Sequence, residues 1–96
     1  MWRDIVELIA IQKVDDGAGG YTETETFRKV FVNRKSIRQS EFYQAHMAGL
    51  NPELMFEIRS IEYQGEEKLL YNESTYRVIR TYSSSDEITE LVCERW

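Results

Sequence analysis

Asp15-Asp16-Gly17-Ala18-Gly19-Gly20-Tyr21-Thr22-Glu23-Thr24 separates two β-branched runs and decides how the first third of the chain is read. On one side lies the apolar run Ile5 to Val14; on the other lies the strand-like run Thr24 to Val32. Glycine enters φ > 0 without steric cost, so Gly17, Gly19 and Gly20 mark a wide, mobile hairpin tip. No Lys-Ser/Thr pair ends the cluster, and the run after it does not read as a helix, so this is not a phosphate loop. Asp15-Asp16-Gly17 also lacks the alternating oxygen ligands and the closing Glu of a calcium loop. A small β-protein with an exposed tip is expected, which favours binding over chemistry.

Working outward, Ile5-Val6-Glu7-Leu8-Ile9-Ala10-Ile11 reads as a first strand with one face well buried. In the second strand, Phe27 and Phe31 fall on one side. Ser36-Ile37-Arg38-Gln39 then has the spacing of a capping box. The helix it opens runs to about Ala48, stopped by Gly49 and by Asn51-Pro52. Its apolar residues point several ways, with Phe42 well round from Ile37 and Ala48, and Tyr43 and Met47 in a third direction. Such a helix needs more than one surface to pack on, and a neighbouring subunit would supply the second.

Leu54, Phe56 and Ile58 alternate against Glu57 and Arg59 as in a half-buried strand, and a bulge near Ser60 would bring Ile61 and Tyr63 into step. Gln64 to Glu67 is a turn, Lys68 to Tyr71 a short strand, and Asn72-Glu73-Ser74 a second turn. Thr75 to Tyr82 and Glu87 to Arg95 form the last two strands, with Ser83 to Asp86 between them. The expected fold is mainly β: a small six-stranded antiparallel barrel or sandwich with one short helix inserted between strands 2 and 3.

Composition agrees with one domain spanning residues 1–96. The 42% apolar content and twelve aromatics (six Tyr, four Phe, two Trp) suit one core and argue against disorder. The single Cys93 excludes an internal disulfide, and His46 is the only histidine, so neither a Cys-based nor a His-pair metal site is expected. Cys93 reads as an inert core thiol and His46 as a surface or partly packed residue. No catalytic constellation, cofactor or metal is expected. Met1-Trp2-Arg3-Asp4 has no signal-like character and no apolar run approaches membrane length, so a cytoplasmic compartment without membrane contact is expected.

The net charge of −5 argues against a dedicated duplex-DNA binder. Its distribution is uneven. Arg28, Lys29, Arg34, Lys35 and Arg38 lie in one stretch without an acid, while acids crowd the chain from Glu53 onward. A basic middle and an acidic rear suit self-association or docking between unlike faces, or simply a solvated surface.

Several segments in order resemble the head–tail joining (head-closure or stopper) proteins of tailed bacteriophages. They are Ile9-Ala10-Ile11-Gln12, the tip Asp16 to Gly20 with Thr22-Glu23-Thr24, Val30-Phe31-Val32, and Phe56-Glu57-Ile58-Arg59. Tyr71 to Ile79 and Glu90-Leu91-Val92-Cys93-Glu94 complete the set. Phe31 stands where that family often has Trp, and Arg34-Lys35-Ser36 where a Ser-Gly-Glu-like stretch is commoner. The resemblance implies a structural protein, not an enzyme. It would assemble as a ring of about twelve copies beneath the portal and adaptor, close the DNA channel and dock the tail. Its place would be the virion, after assembly in the host cytoplasm. The excursion from Arg34 to Pro52 would face the channel. There Arg34, Lys35 and Arg38 would meet packaged DNA without sequence preference. The tip residues Asp16, Gly17, Gly19, Gly20 and Tyr21, and Phe42, Tyr43 and Met47 of the helix, would contact neighbouring subunits or partners. Replacing the three cations by Ser is expected to leave the fold's stability nearly unchanged. A tail-completion or terminator protein, and less directly a small-barrel nucleic-acid binder, are the alternatives.

Overall fold

The computed structural model describes residues 2–96; Met1, where the reading of the N-terminus begins, lies outside them. Six strands and one α-helix follow one another as β1 (Asp4–Asp15), β2 (Tyr21–Lys35), α1 (Gln39–Met47), β3 (Pro52–Arg59), β4 (Lys68–Tyr71), β5 (Ser74–Ser83) and β6 (Ile88–Arg95). Every pairing is antiparallel, and the strands close into a barrel in the order β1-β2-β3-β6-β5-β4. The expected fold class is therefore observed, helix insertion included.

Alternation builds the core. Val6 and Leu8 of β1, Val30 and Val32 of β2, and Leu54, Phe56 and Ile58 of β3 point inward. Leu69 and Tyr71 of β4, Tyr76 of β5, and Leu91 and Cys93 of β6 complete the lining. Phe56 is fully buried, and its ring meets that of Tyr71 edge-on at 5.0 Å between centroids. The β4–β5 turn is the two-residue Asn72-Glu73, both at positive φ, between the paired Tyr71 and Ser74. Such a turn matches the twist of the flanking strands.

Three expectations need correcting. The tip is not wide: β2 begins at Tyr21, not Thr24, leaving a five-residue loop, 16–20. Asp15 Oδ1 accepts from the Gly17 amide at 2.9 Å, and Asp16 Oδ1 from the Ala18 and Gly20 amides at 2.8 and 3.2 Å. Gly17 and Gly19 supply the positive φ this loop needs. The capping box does not form, because the helix starts at Gln39 and its N-cap is Arg38, without a side-chain cap. Ser36 lies outside the helix. Finally, no bulge occurs at Ser60; β3 ends at Arg59 and a 3-10 turn, Ser60–Glu62, carries the chain away and leaves Ile61 exposed. The register shifts instead at Pro52/Leu54 in β3 and at Val78/Arg80 in β5.

Residues 63–67 are tied beneath the barrel by Glu66. Its carboxylate accepts from Arg28 at 2.7 Å and from the Gln64 amide at 2.9 Å, and Tyr63 donates its hydroxyl to the Glu66 carbonyl at 2.7 Å. Burial pushes the Glu66 carboxyl up, but the Arg28 hydrogen bond, the backbone donors and the Arg28 charge together bring it below its ordinary value of 4.5. Burial raises the Tyr63 hydroxyl to about 12, helped by the Glu66 charge.

Two outcomes are expected. Phe56→Ala empties the centre of the core and lowers stability by about 3–5 kcal/mol in urea unfolding at neutral pH. A depressed carboxyl stabilises the fold above its unfolded value and loses that contribution as pH falls through the lower, folded value. Stability titrated downward from pH 5 should therefore fall less steeply in Glu66→Gln than in the parent chain.

Candidate functional site

β1 and β2 outrun the rest of the barrel. β1 pairs with β4 only at Glu7, Leu8 and Ile9, and β2 pairs with β3 only from Val32 to Lys35. Ala10 to Asp15 and Tyr21 to Phe31 therefore hold a partner on one side only. The outer part of this ribbon, roughly six residues per strand, projects about 20 Å at ordinary strand rise. The molecule is accordingly elongated, 49 × 33 × 27 Å.

The side that carries Phe27 and Phe31 faces out, because the inward positions of β2 are Val30 and Val32. Phe27 and Phe31 are 55% and 58% exposed, opposite Ile9 and Ile5 of β1. Tyr21, beside the tip, is 60% exposed. The tip residues Asp16, Gly17, Gly19 and Gly20 lie at the far end of the ribbon, and no side chain crowds Gly17 or Gly19. Aromatics thus line the outside of this protein as much as its core.

Helix α1 is held differently. It packs against β3, where Met55 stands opposite Val92 of β6 on the outer face of the sheet, and both are buried. Ala45 is the one buried apolar residue of the helix; Phe42, Tyr43 and Met47 face solvent, Met47 being 88% exposed. The remaining attachment is polar. Glu41, in the first turn where the helix dipole favours a carboxylate, is buried. It takes a hydrogen bond from the Tyr82 hydroxyl, and Arg80 Nε lies 3.3 Å from its Oε1, an ion pair without hydrogen-bond geometry. Arg80 also donates to Gln44 at 3.2 Å. Just before the helix, Arg38 clasps Glu90 of β6 with both terminal nitrogens, at 2.8 and 3.3 Å.

The three sequence-chosen cations therefore divide. Arg38 serves the fold: the Glu90 hydrogen bond and charge raise its guanidinium above the ordinary arginine value. Lys35 lies 3.8 Å from Glu57; the Arg34 amide donates to Asp4 Oδ2 at 3.1 Å, while its guanidinium has no ion-pair partner among the described residues. Arg34, Lys35, Ile37, Phe42 and Pro52 border a shallow surface hollow of about 550 Å³, so the structure does bring the basic stretch and the helix together. The ribbon tip is not part of that hollow.

This pairing also explains the uneven charge. Arg28, Lys35 and Arg38 from the basic middle bind Glu66, Glu57 and Glu90 from the acidic rear. Arg77 likewise holds the buried Glu94 at 3.1 Å. Sequence reasoning missed these contacts, and no local spacing announces them.

Cys93 is fully buried in the core, where desolvation pushes its thiol up to about 12. His46 is exposed, stacked on Phe42 at 6.1 Å between ring centroids. Among the described residues no cluster of His, Cys, Asp and Glu is arranged to hold a metal ion, and no helix is long and apolar enough to cross a membrane. Compared with protein-family models the chain matches none, and comparison with curated proteins finds no match.

The earlier expectation for the cations is thus revised for one of them. Arg38→Ser strands the buried Glu90 and should lower the thermal midpoint clearly, whereas Arg34→Ser and Lys35→Ser should each stay within about 0.5 kcal/mol of the parent. Thermal denaturation of the three single variants, side by side, measures the difference.

Proposed function

We propose that this chain is a structural head-completion protein of a tailed phage or prophage, forming a ring below the portal and adaptor that closes the DNA channel and docks the tail. The supporting observation is where its uncommitted surface lies. The barrel interior is filled by its own side chains, and exposed apolar residues gather on two projections, the β1–β2 ribbon and the outer face of α1. Surfaces of that kind fit protein partners better than a small substrate, which needs a concave and largely apolar site.

The ordered motifs from Ile9 to Glu94 supply the family reading, and the fold is compatible with it. In that reading the excursion between β2 and β3 faces the channel. Arg34 and Lys35 are its cations toward packaged DNA, since Arg38 is committed to Glu90. One unshared charge, Arg34, and a second that Glu57 holds only at 3.8 Å give each copy weak, sequence-independent contact with phosphates, which suits DNA that must later leave. Phe42, Tyr43 and Met47 meet the neighbouring subunit or the ring above, and the ribbon tip reaches an adjacent component.

Interrupting the gene in the phage or prophage that carries it tests this. Capsids should fill and then lose their DNA, or stay full without tails, and the purified chain added to them should restore tail joining. Stable, full, tailed virions made without the protein would overturn the proposal. Binding to purified tails, with none to portal–adaptor complexes, would move the protein to the tail side.

A further inference from the structure

The free edge of β2 has a property that neither the barrel nor the helix explains. From Tyr21 to Phe31 this strand is bonded to β1 on one side and to no strand on the other. Eleven residues of open edge extend roughly 37 Å at ordinary strand rise. Such an edge is a template for another strand, and a two-stranded ribbon open on both faces gains much from a third. Natural edges are blunted by Pro, bulges or charges; this one has neither Pro nor bulge, and its charges, Glu23, Glu25, Arg28 and Lys29, are of both signs.

Its own sequence is complementary to itself when reversed. If two copies run antiparallel and use the whole edge, residue 21 meets 31 and Thr26 meets Thr26 of the second copy. Tyr21 then lies opposite Phe31, and Glu23 opposite Lys29, each twice by symmetry. All four point to the outward face, where directly opposed side chains interact. Glu23 and Lys29 stand opposite Lys13 and Glu7 of β1 in register, but neither is within ion-pair distance of a partner among the described residues, so both can also serve a strand on the other side. Glu25 has such a partner, since Lys68 holds it at 2.9 Å, so its place opposite Phe27 strands no charge. Moving the centre to residue 25 would set two Glu25 side chains against each other. Moving it to residue 27 would put Glu23 opposite Phe31 and leave Tyr21 outside the pairing.

We propose that two copies of this protein pair through the free edges of β2, antiparallel about a two-fold axis at Thr26, giving one continuous sheet β1-β2-β2′-β1′. The occupant of the edge is a second copy because the complementary charges and aromatics are its own. A two-fold contact is closed, so it cannot propagate around a ring. It is a separate assembly state in which the exposed ribbon is covered, and it does not depend on the head-completion reading.

The purified full chain tests it by sedimentation equilibrium up to about 1 mM, a range in which even a weak pair is populated. A monomer–dimer equilibrium is expected. Glu23→Lys and Lys29→Glu, which put like charges opposite each other twice per dimer, should each weaken it about tenfold or more. The double variant should return to within about threefold of the parent, which a merely structural effect of either change would not produce. Thr26→Cys should link two chains through position 26 on oxidation. Thr22→Cys should not, because its copies would stand roughly 27 Å apart; Cys93 is buried and does not compete. A chain monomeric throughout this range, a double variant no better than the singles, or linkage stronger in Phe27→Cys than in Thr26→Cys would each overturn the proposal.

Discussion

Closure of the barrel rests on three residue pairs, Glu7–Leu70, Leu8–Leu69 and Ile9–Lys68, between a long β1 and a four-residue β4. Without them the sheet is an open meander, and Leu8 and Leu69, both fully buried, would meet water. The shortness of β4 has a second effect. A strand of four residues can shield only a fraction of β1, so whatever of β1 lies past Ile9 must be a ribbon supported by β2 alone. On the other flank β3 leaves β2 at Val32 and turns away through Ser60–Glu62. The projection follows from a mismatch in strand length, not from a loop added to a finished barrel.

The second organising feature is the burial of carboxylates. Glu41, Glu66, Glu90 and Glu94 are all buried, and each has an arginine reaching it from a more exposed position. Burying an unpaired carboxylate is costly, so each arginine is required where it stands, though such a pair adds little net stability over an apolar substitute. What the pairs do supply is placement. Helix α1 buries only Ala45 as an apolar anchor, so its orientation on β3, β5 and β6 is set by Glu41 with Arg80 and Tyr82, and by Arg38 with Glu90. A polar attachment of this kind leaves Phe42, Tyr43 and Met47 free on the outer face.

Much of the architecture is legible in sequence because its punctuation is local. Gly17 to Gly20, Gly49 before Asn51-Pro52, Asn72-Glu73 and Ser83 to Asp86 each break a periodic run at the right place, and the alternation Leu54, Phe56, Ile58 selects the inward face of β3. In β2 both faces carry large apolar residues, Phe27 and Phe31 against Val30 and Val32, and periodicity cannot say which is inside. The answer is set by register with β1, where Val6 faces Val30. The ion pairs are hidden for a different reason. Arg28 and Glu66 are 38 residues apart, Arg38 and Glu90 are 52, and only closure brings them together. A basic stretch that suggests a nucleic-acid surface is in this fold largely neutralised from within.

That neutralisation changes which residues can govern association. Of the five cations between Arg28 and Arg38, the side chains of Lys29 and Arg34 alone have no ion-pair partner among the described residues, although Lys29 stands opposite Glu7 in register. Long-range attraction by the basic stretch is correspondingly weak, and an overall charge of −5 opposes it further. An association through these surfaces would then have to be short-ranged, from apolar area and backbone hydrogen bonds, with the few unshared charges deciding register. Lys29 lies on the same open edge as Phe27, Phe31 and Glu23, whereas Arg34 is at the base of the excursion beside Phe42. Each projection therefore combines exposed aromatics with one unshared cation, so two contacts of similar chemistry are available at opposite flanks of β2.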